Sequence, residues 1–78
     1  MTTISNAKVL GEALSFARKQ LRLTQSQLAL AAGVGVRFVV ELEAGKPTVQ
    51  LERTLRVIAA LGGTLMLIGL MQGDGHGA

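Results

Sequence analysis

Cysteine is absent from the 78 residues of this chain, and histidine occurs once. The lack of cysteine excludes disulfide bonds and thiolate metal sites. With one histidine and no cluster of carboxylates that could act as acid and base, the sequence does not support an enzyme. The same scarcity of cysteine and histidine predicts no metal site. No cofactor is expected either, because the glycines end helices and do not form a phosphate-cradling loop.

Aromatic residues are scarce at 3%, whereas hydrophobic residues make up 49% of the chain. We therefore expect an aliphatic core in one small domain, which a second subunit would help to stabilise. The N-terminal segment MTTISNAK lacks the apolar core of a signal peptide. The uncharged stretch 57–73 is too short to span a bilayer and is interrupted by two glycines. These features predict a cytoplasmic protein with no membrane segment.

Acidic residues number five against eight lysines and arginines, which gives a net charge of +3. All eight basic residues lie between Lys8 and Arg56. This excess favours a polyanionic partner only weakly, because a charge of +3 is also ordinary for a soluble domain.

The first part of the chain predicts two helices. Apolar residues at helical spacing indicate a helix from about residue 7 to 21, capped by Ser5 or Asn6. Thr24 and Gln27 form a capping-box pattern before a second, short helix, in which Leu28 and Ala29 or Ala32 would face inward. Gly33 is expected to end that helix.

Two further helices are expected, from about residue 35 to 45 and from about 49 to 61, the first of them with Val39 and Leu42 facing inward. The apolar face of the fourth helix is predicted to consist of Leu51, Leu55, Ile58 and Leu61. A capped short helix, a glycine-containing turn and another helix have helix-turn-helix spacing. Short helical hairpins are also common, so the spacing alone does not distinguish a helix-turn-helix from an ordinary helical hairpin.

The segment TLMLIGL, residues 64–70, lacks helical periodicity and predicts a β-strand, with a short terminal helix as the alternative. A lone buried strand needs a hydrogen-bonding partner. The simplest partner is the same strand of a second copy, paired antiparallel across a two-fold axis. The sequence thus predicts an arm (1–6), a domain of four helices (7–62), a dimerisation strand (63–71) and a disordered tail (72–78). The expected dimer contacts are Leu65, Met66, Leu67 and Ile68.

The stretch LTQSQLALAAGVGVRFVVELEAGKP, from Leu23 to Pro47, resembles the lambda-repressor-like (Xre-type) helix-turn-helix family. The family pattern is Leu-Thr-Gln-x-x-Leu-Ala-x-x-Ala-Gly-Val, followed by a recognition helix that ends in Glu-x-Gly-Lys. The resemblance covers about residues 8–62. The sequence VRFVVELEAGKPTVQLERTLRVIAALGGTL is more narrowly similar to HipB-type antitoxins, which are homodimeric repressors paired with a HipA-type serine/threonine kinase toxin.

This resemblance implies an all-α fold of four helices with a C-terminal strand shared in a homodimer. It also implies repression through a double-stranded, pseudo-palindromic DNA operator, a kinase toxin as partner and a place at the bacterial nucleoid. Two alternatives stay open. One is a phage-type repressor without a toxin, and the other is a protein-interaction module that neutralises a kinase without binding DNA.

Base contacts are expected from the third helix, where a helical wheel turns Arg37 outward. Arg37 is the one long donor on that face and can bind guanine bidentately, while Val36 and Val40 can contact thymine methyl groups. Phe38 falls on a flank, where it can pack in the core, against DNA sugars or against a toxin. Gly35, also expected at the DNA contact, opens the helix where the family usually has serine.

Phosphate contacts are expected at the start of the second helix, where backbone N–H groups and the helix dipole favour an anion. Thr24 and Gln25 lie there, and Thr24 also has a capping role. Lys46, just beyond the third helix, is a further phosphate candidate. The resemblance implies a structural ion pair between Arg18 and Glu43. Glu41 faces outward and would repel phosphate, so it faces either solvent or a toxin.

Overall fold

The computed structural model describes residues 3–67, which form four α-helices. These are α1 (Ala7–Gln20), α2 (Gln25–Ala32), α3 (Val36–Glu43) and α4 (Leu51–Ala60). Within residues 3–67 there is no β-strand, and no helix of this range has both the length and the apolarity to cross a membrane. The four predicted helices are confirmed. Residues 64–67 of the predicted strand 64–70 form no strand in this single chain. The rest of that strand, with Ile68, and the predicted tail lie outside the described residues.

Side-chain caps start α1 and α2 where the sequence predicts them. The side chain of Asn6 accepts a hydrogen bond from the backbone N–H of Val9 at 2.9 Å, which caps α1. At α2 the capping box is complete, because the Thr24 hydroxyl accepts from the N–H of Gln27 while the Gln27 amide oxygen accepts from the N–H of Thr24. Gly33 ends α2 in the left-handed conformation, with φ 72°, which glycine adopts without steric cost.

The core is aliphatic, as the composition predicts. Its fully buried side chains come from α2, α3 and α4, with Leu28, Val39 and Val57 all at 0% exposure. Helix α3 packs against both α1 and α2, and α4 packs against α2. Leu42, the second predicted inward residue of α3, is also buried. The inner face of α3 is therefore fixed on two sides, and its opposite face is left open to solvent.

The predicted apolar face of α4 is partly wrong. Leu51 is 66% exposed and Leu55 is 39% exposed, whereas Thr54, Val57 and Ile58 are buried. Thr54 can lie in the core because its hydroxyl donates to the carbonyl oxygen of Gln50 at 2.9 Å, so no buried polar group is left unpaired. The helix is rotated from the predicted face by roughly 60°, at 100° per residue.

Gly11 brings α1 unusually close to the end of α3. A Cβ atom at this position would lie 2.6 Å from the carbonyl oxygens of both Leu42 and Glu43. Only a residue without a side chain fits such a backbone approach. This close backbone contact fixes where the C-terminal end of α3 lies against α1. It thereby helps to position the outer face of α3.

Candidate nucleic-acid interface

Helices α2 and α3 are joined by a short turn at residues 33–35. The N–H of Val34 donates to the carbonyl oxygen of Ala29 at 3.0 Å, so the turn closes back on α2. Gly35 then starts α3 in an extended conformation, and no side chain caps that helix. The two helices are held at a fixed angle by this turn and by the buried residues beneath it, which is the arrangement of a helix-turn-helix.

The outer face of α3 presents one long cation between apolar side chains. The Arg37 side chain is 90% exposed. Val36 and Val40, which flank it, are exposed as well, at 45% and 44%. The structure therefore places these three predicted contact residues together on one open helix face. Such a face can offer a guanidinium fork to guanine and methyl groups to thymine.

Phe38 is turned further inward than the other candidates on α3. It is partly buried and packs against the core cluster. Packing of this kind is the alternative that the sequence leaves open for Phe38. The ring therefore contributes to packing α3 onto the core, and the polar contacts of the outer face would be made by other residues of α3.

A polar network ties the ends of three helices together under the outer face. The Nε and Nη2 atoms of Arg18 donate to Glu43 at 2.7 and 3.0 Å, in a bidentate pair, and Nη1 donates to the carbonyl oxygen of Leu23 at 2.8 Å. Gln25 adds a third donor, because its Nε2 lies 3.1 Å from the same Glu43 carboxylate. The side chains of Arg18 and Glu43 are only 11% and 6% exposed.

Arg18 and Glu43 each stabilise the charged form of the other. Burial alone would raise the pKa of Glu43, but the hydrogen bonds from Arg18 and Gln25 outweigh it and hold that pKa below its ordinary value. The hydrogen bond to Glu43 raises the pKa of Arg18, although burial works against it. Both groups are therefore charged at neutral pH. The pair joins α1 to α3 with the geometry that makes arginine–carboxylate contacts strong.

The role of Gln25 in this network is not predicted by the sequence. Its place at the beginning of α2 indicates a phosphate contact alone. Gln25 is half-buried in the structure and is bound to Glu43. An amide nitrogen carries two N–H groups, so one can remain on Glu43 while the other contacts an external acceptor. A glutamine eighteen residues before a buried glutamate has no distinctive spacing, so the sequence alone could not reveal the contact.

Lys46 and Arg37 both lie close to the carboxylate of Glu41. The Nζ atom of Lys46 is 3.4 Å from Oε1 of Glu41, and Nε of Arg37 is 3.8 Å from its Oε2. The second distance is too long for a hydrogen bond. An acidic side chain therefore lies between two of the cations that the sequence assigns to DNA.

The end of the described chain exposes apolar side chains. Leu65, Met66 and Leu67 are 52%, 62% and 74% exposed, and the fourth predicted dimer residue, Ile68, lies beyond the described range. Leu51 and Leu55 of α4 add further exposed apolar area. Exposed apolar side chains of this kind are candidates for contact with a partner.

Comparison with known proteins identifies the fold. A helix-turn-helix family model matches residues 14–68. An uncharacterized HTH-type transcriptional regulator from Sinorhizobium fredii is 49% identical over 53 residues, covering 68% of this chain and 70% of the relative. A second one, from Haemophilus influenzae, is 37% identical over 67 residues, covering 85% of this chain and 68% of the relative.

Among solved structures, a chain of a HipA-HipB-O2-O3 complex superimposes with a TM-score of 0.80 at 22% identity, covering 86% of this chain and 94% of the other. A HipB-O4 20mer complex gives the same values. At this identity the likeness shows a shared fold.

Proposed function

The chain belongs to the helix-turn-helix family of DNA-binding transcriptional regulators of the Xre type, and we propose that it is a homodimeric repressor of its own operon. The observation that carries this proposal is the outer face of α3. Arg37 is 90% exposed there, between two exposed valines, while the other side of the helix is locked into the core. A rigid helix with an open donor is what major-groove readout requires.

The start of α2 supplies phosphate contacts on this proposal. Its first backbone N–H groups and the helix dipole favour an anion. Thr24 caps this turn, and the Gln25 amide retains a second N–H that can point to phosphate. Lys46, with a side chain 47% exposed, contacts the backbone on the other side of α3. Phosphate contacts such as these fix the register of the protein on the duplex, whereas Arg37 supplies sequence preference.

A second copy of the chain completes the repressor. We assign residues 1–6 to an arm, 7–62 to DNA binding, 63–71 to dimerisation and 72–78 to a tail. The exposed side chains of Leu65, Met66 and Leu67 support this assignment, because pairing two such segments across a two-fold axis would cover them. Two α3 helices would then lie about 34 Å apart, so the operator is a pseudo-palindrome.

The same protein acts as an antitoxin of a HipA-type serine/threonine kinase on this proposal, in the bacterial cytoplasm at the nucleoid. Support comes from the fold shared with HipB and from the motif that resembles HipB-type antitoxins. Co-purification with a HipA-type kinase, should one be encoded beside its gene, tests this step. Operator binding without any kinase partner would instead identify a phage-type repressor. Kinase binding without DNA binding would identify an interaction module.

Base readout by Arg37 is tested with a panel of single-base variants of the operator, titrated at one salt concentration. Arg37→Ala should weaken the matched operator by ~1–3 kcal/mol per half-site and flatten discrimination at one base pair. Lys46→Ala, the control, should weaken all duplexes alike because a phosphate contact carries no sequence information. A uniform loss with Arg37→Ala would make Arg37 a phosphate contact and leave specificity to the valines and to DNA shape.

The dimer is tested by deleting residues 64–78. The truncated chain should sediment as a monomer or a weak dimer and bind the operator much more weakly, since two linked half-site contacts become independent. The helical signal in its far-UV circular dichroism should be retained, because all four helices lie before residue 64. A truncated chain that sediments as a stable dimer would contradict the shared strand.

A further inference from the structure

Glu41 lies on the outer face of α3, where a polyanion would bind. The other acidic residue of this helix, Glu43, is turned inward to Arg18. Glu41 instead has a side chain 37% exposed, with Lys46 on one side at 3.4 Å and Arg37 on the other at 3.8 Å. Its single charge is thus shared between a proposed phosphate contact and the proposed base contact.

The geometry of the two contacts differs in a way that matters for DNA binding. Lys46 approaches with its ammonium group, which is the atom it would offer to a phosphate. Arg37 lies further away, with its Nε atom 3.8 Å from the carboxylate, which is too long for a hydrogen bond, and its side chain is 90% exposed. The carboxylate therefore competes directly with phosphate for Lys46. The carboxylate makes no hydrogen bond to Arg37, so the guanidinium of Arg37 remains able to bind a base.

Electrostatic attraction to phosphate supplies nearly all of the affinity for DNA of arbitrary sequence. A fixed negative charge among the contacting cations reduces this term. On the proposed function, arbitrary DNA would use both Lys46 and Arg37 as phosphate contacts, so Glu41 weakens two of them. On the operator Arg37 would contact a base, so only the Lys46 contact is weakened. The loss of binding free energy is therefore larger on arbitrary DNA, and specificity is the difference between the two. From this we propose that Glu41 is a specificity-determining residue, whose carboxylate suppresses binding to arbitrary DNA while leaving base recognition by Arg37 available. The inference rests on the proposed function, because it presumes that α3 faces DNA.

The test compares Glu41→Gln, which keeps the shape and removes the charge, with Glu12→Gln. Glu12 is exposed on α1, outside the helix-turn-helix, so the control makes the same change in net charge elsewhere. Two probes are titrated by fluorescence anisotropy over a range of salt. One is a duplex that the wild-type protein selects from a random library. It is about 20 base pairs long, which is enough to cover two half-sites. The other is the same duplex with its sequence scrambled.

Glu41→Gln should tighten binding to the scrambled duplex roughly fivefold per site and steepen its salt dependence by roughly one ion per site. The selected duplex should change by less than half as much, so that discrimination falls. Glu12→Gln should leave discrimination as it is in the wild type. Equal tightening on both duplexes, no change, or the same loss of discrimination with Glu12→Gln would overturn the role of Glu41. A wild-type protein that selects no duplex would overturn the proposed function itself.

Discussion

Replacing Glu43 with alanine should destabilise the protein more than any other removal of a single acidic group among residues 3–67. The carboxylate accepts hydrogen bonds from two nitrogens of Arg18 and from Gln25 at 2.7–3.1 Å. The substitution leaves the guanidinium of Arg18, 11% exposed, without its counterion. An uncompensated charge in such a place is expensive, because it has lost both water and its partner.

The expected cost of Glu43→Ala is about 3 kcal/mol, at the lower end of the range for a buried pair since both side chains keep some exposure. That is a large share of the ~4–12 kcal/mol expected for a domain of this length. The melting temperature should fall by about 12–24 °C. Far-UV circular dichroism is the suitable assay, because the chain has no tryptophan and no tyrosine, and the protein concentration must be the same throughout.

The control is Glu52→Ala, because Glu52 forms an equally short ion pair under different exposure. Its carboxylate is 2.8 Å from Arg56, but the two side chains are 69% and 51% exposed. An exposed pair four residues apart on a helix contributes only about 0.3–0.5 kcal/mol. A double-mutant cycle with Arg18→Ala isolates the coupling. Equal, small effects of Glu43→Ala and Glu52→Ala would refute the argument.

The pH dependence gives an independent check. Glu43 has a folded-state pKa below its ordinary value, so it binds a proton less readily when folded than when unfolded. Its contribution to stability is therefore complete above the unfolded pKa, about 4.3, and is lost as the pH falls through the lower, folded pKa. The stability difference between the wild type and Glu43→Gln should be constant near neutrality and shrink in acid. A difference that grows in acid would contradict the pair.

Two further changes test the local architecture by thermal unfolding. Thr24→Ala removes one half of the capping box and should cost about 1 kcal/mol, lowering the melting temperature by about 4–8 °C, while Ser26→Ala in the same turn should change it little. Gly35→Ser should instead raise it, by about 0.5–1 kcal/mol of stability. Gly35 has φ −75°, a Cβ atom there would meet no other atom within 4 Å, and α3 has no side-chain cap; a lower melting temperature would refute this.

The boundaries of α1 and α2 were predictable because local caps determine them, whereas α3 and α4 begin without a side-chain cap. Asn6, Thr24 and Gly33 act within three residues of the groups they cap, so sequence spacing alone identifies them. The inward residues of α3 were also predictable from spacing. Val39 and Leu42 are three residues apart, so they lie on the same face of a helix. Family membership followed from the motif between α2 and the end of α3, and the family match over residues 14–68 confirms it.

The α4 face was not predictable from hydrophobicity. Thr54 lies in the core because the carbonyl oxygen of Gln50 accepts a hydrogen bond from its hydroxyl group, and a scale that counts threonine as polar places it outside. Leu51 and Leu55 are exposed to solvent in the described part of a single chain. A leucine pattern cannot distinguish a core within one chain from an interface between two.

The network around Glu43 also determines which mutations can report on DNA contact. Glu43 holds Gln25 at the start of α2, so Gln25→Ala removes a stabilising hydrogen bond together with any phosphate contact. Weaker DNA binding by that variant would have two explanations. Arg37 differs, because its side chain is 90% exposed and its ion pair with Glu41 is 3.8 Å long, which contributes little to folding. A loss of base discrimination with Arg37→Ala at an unchanged melting temperature would therefore be due to the DNA contact itself.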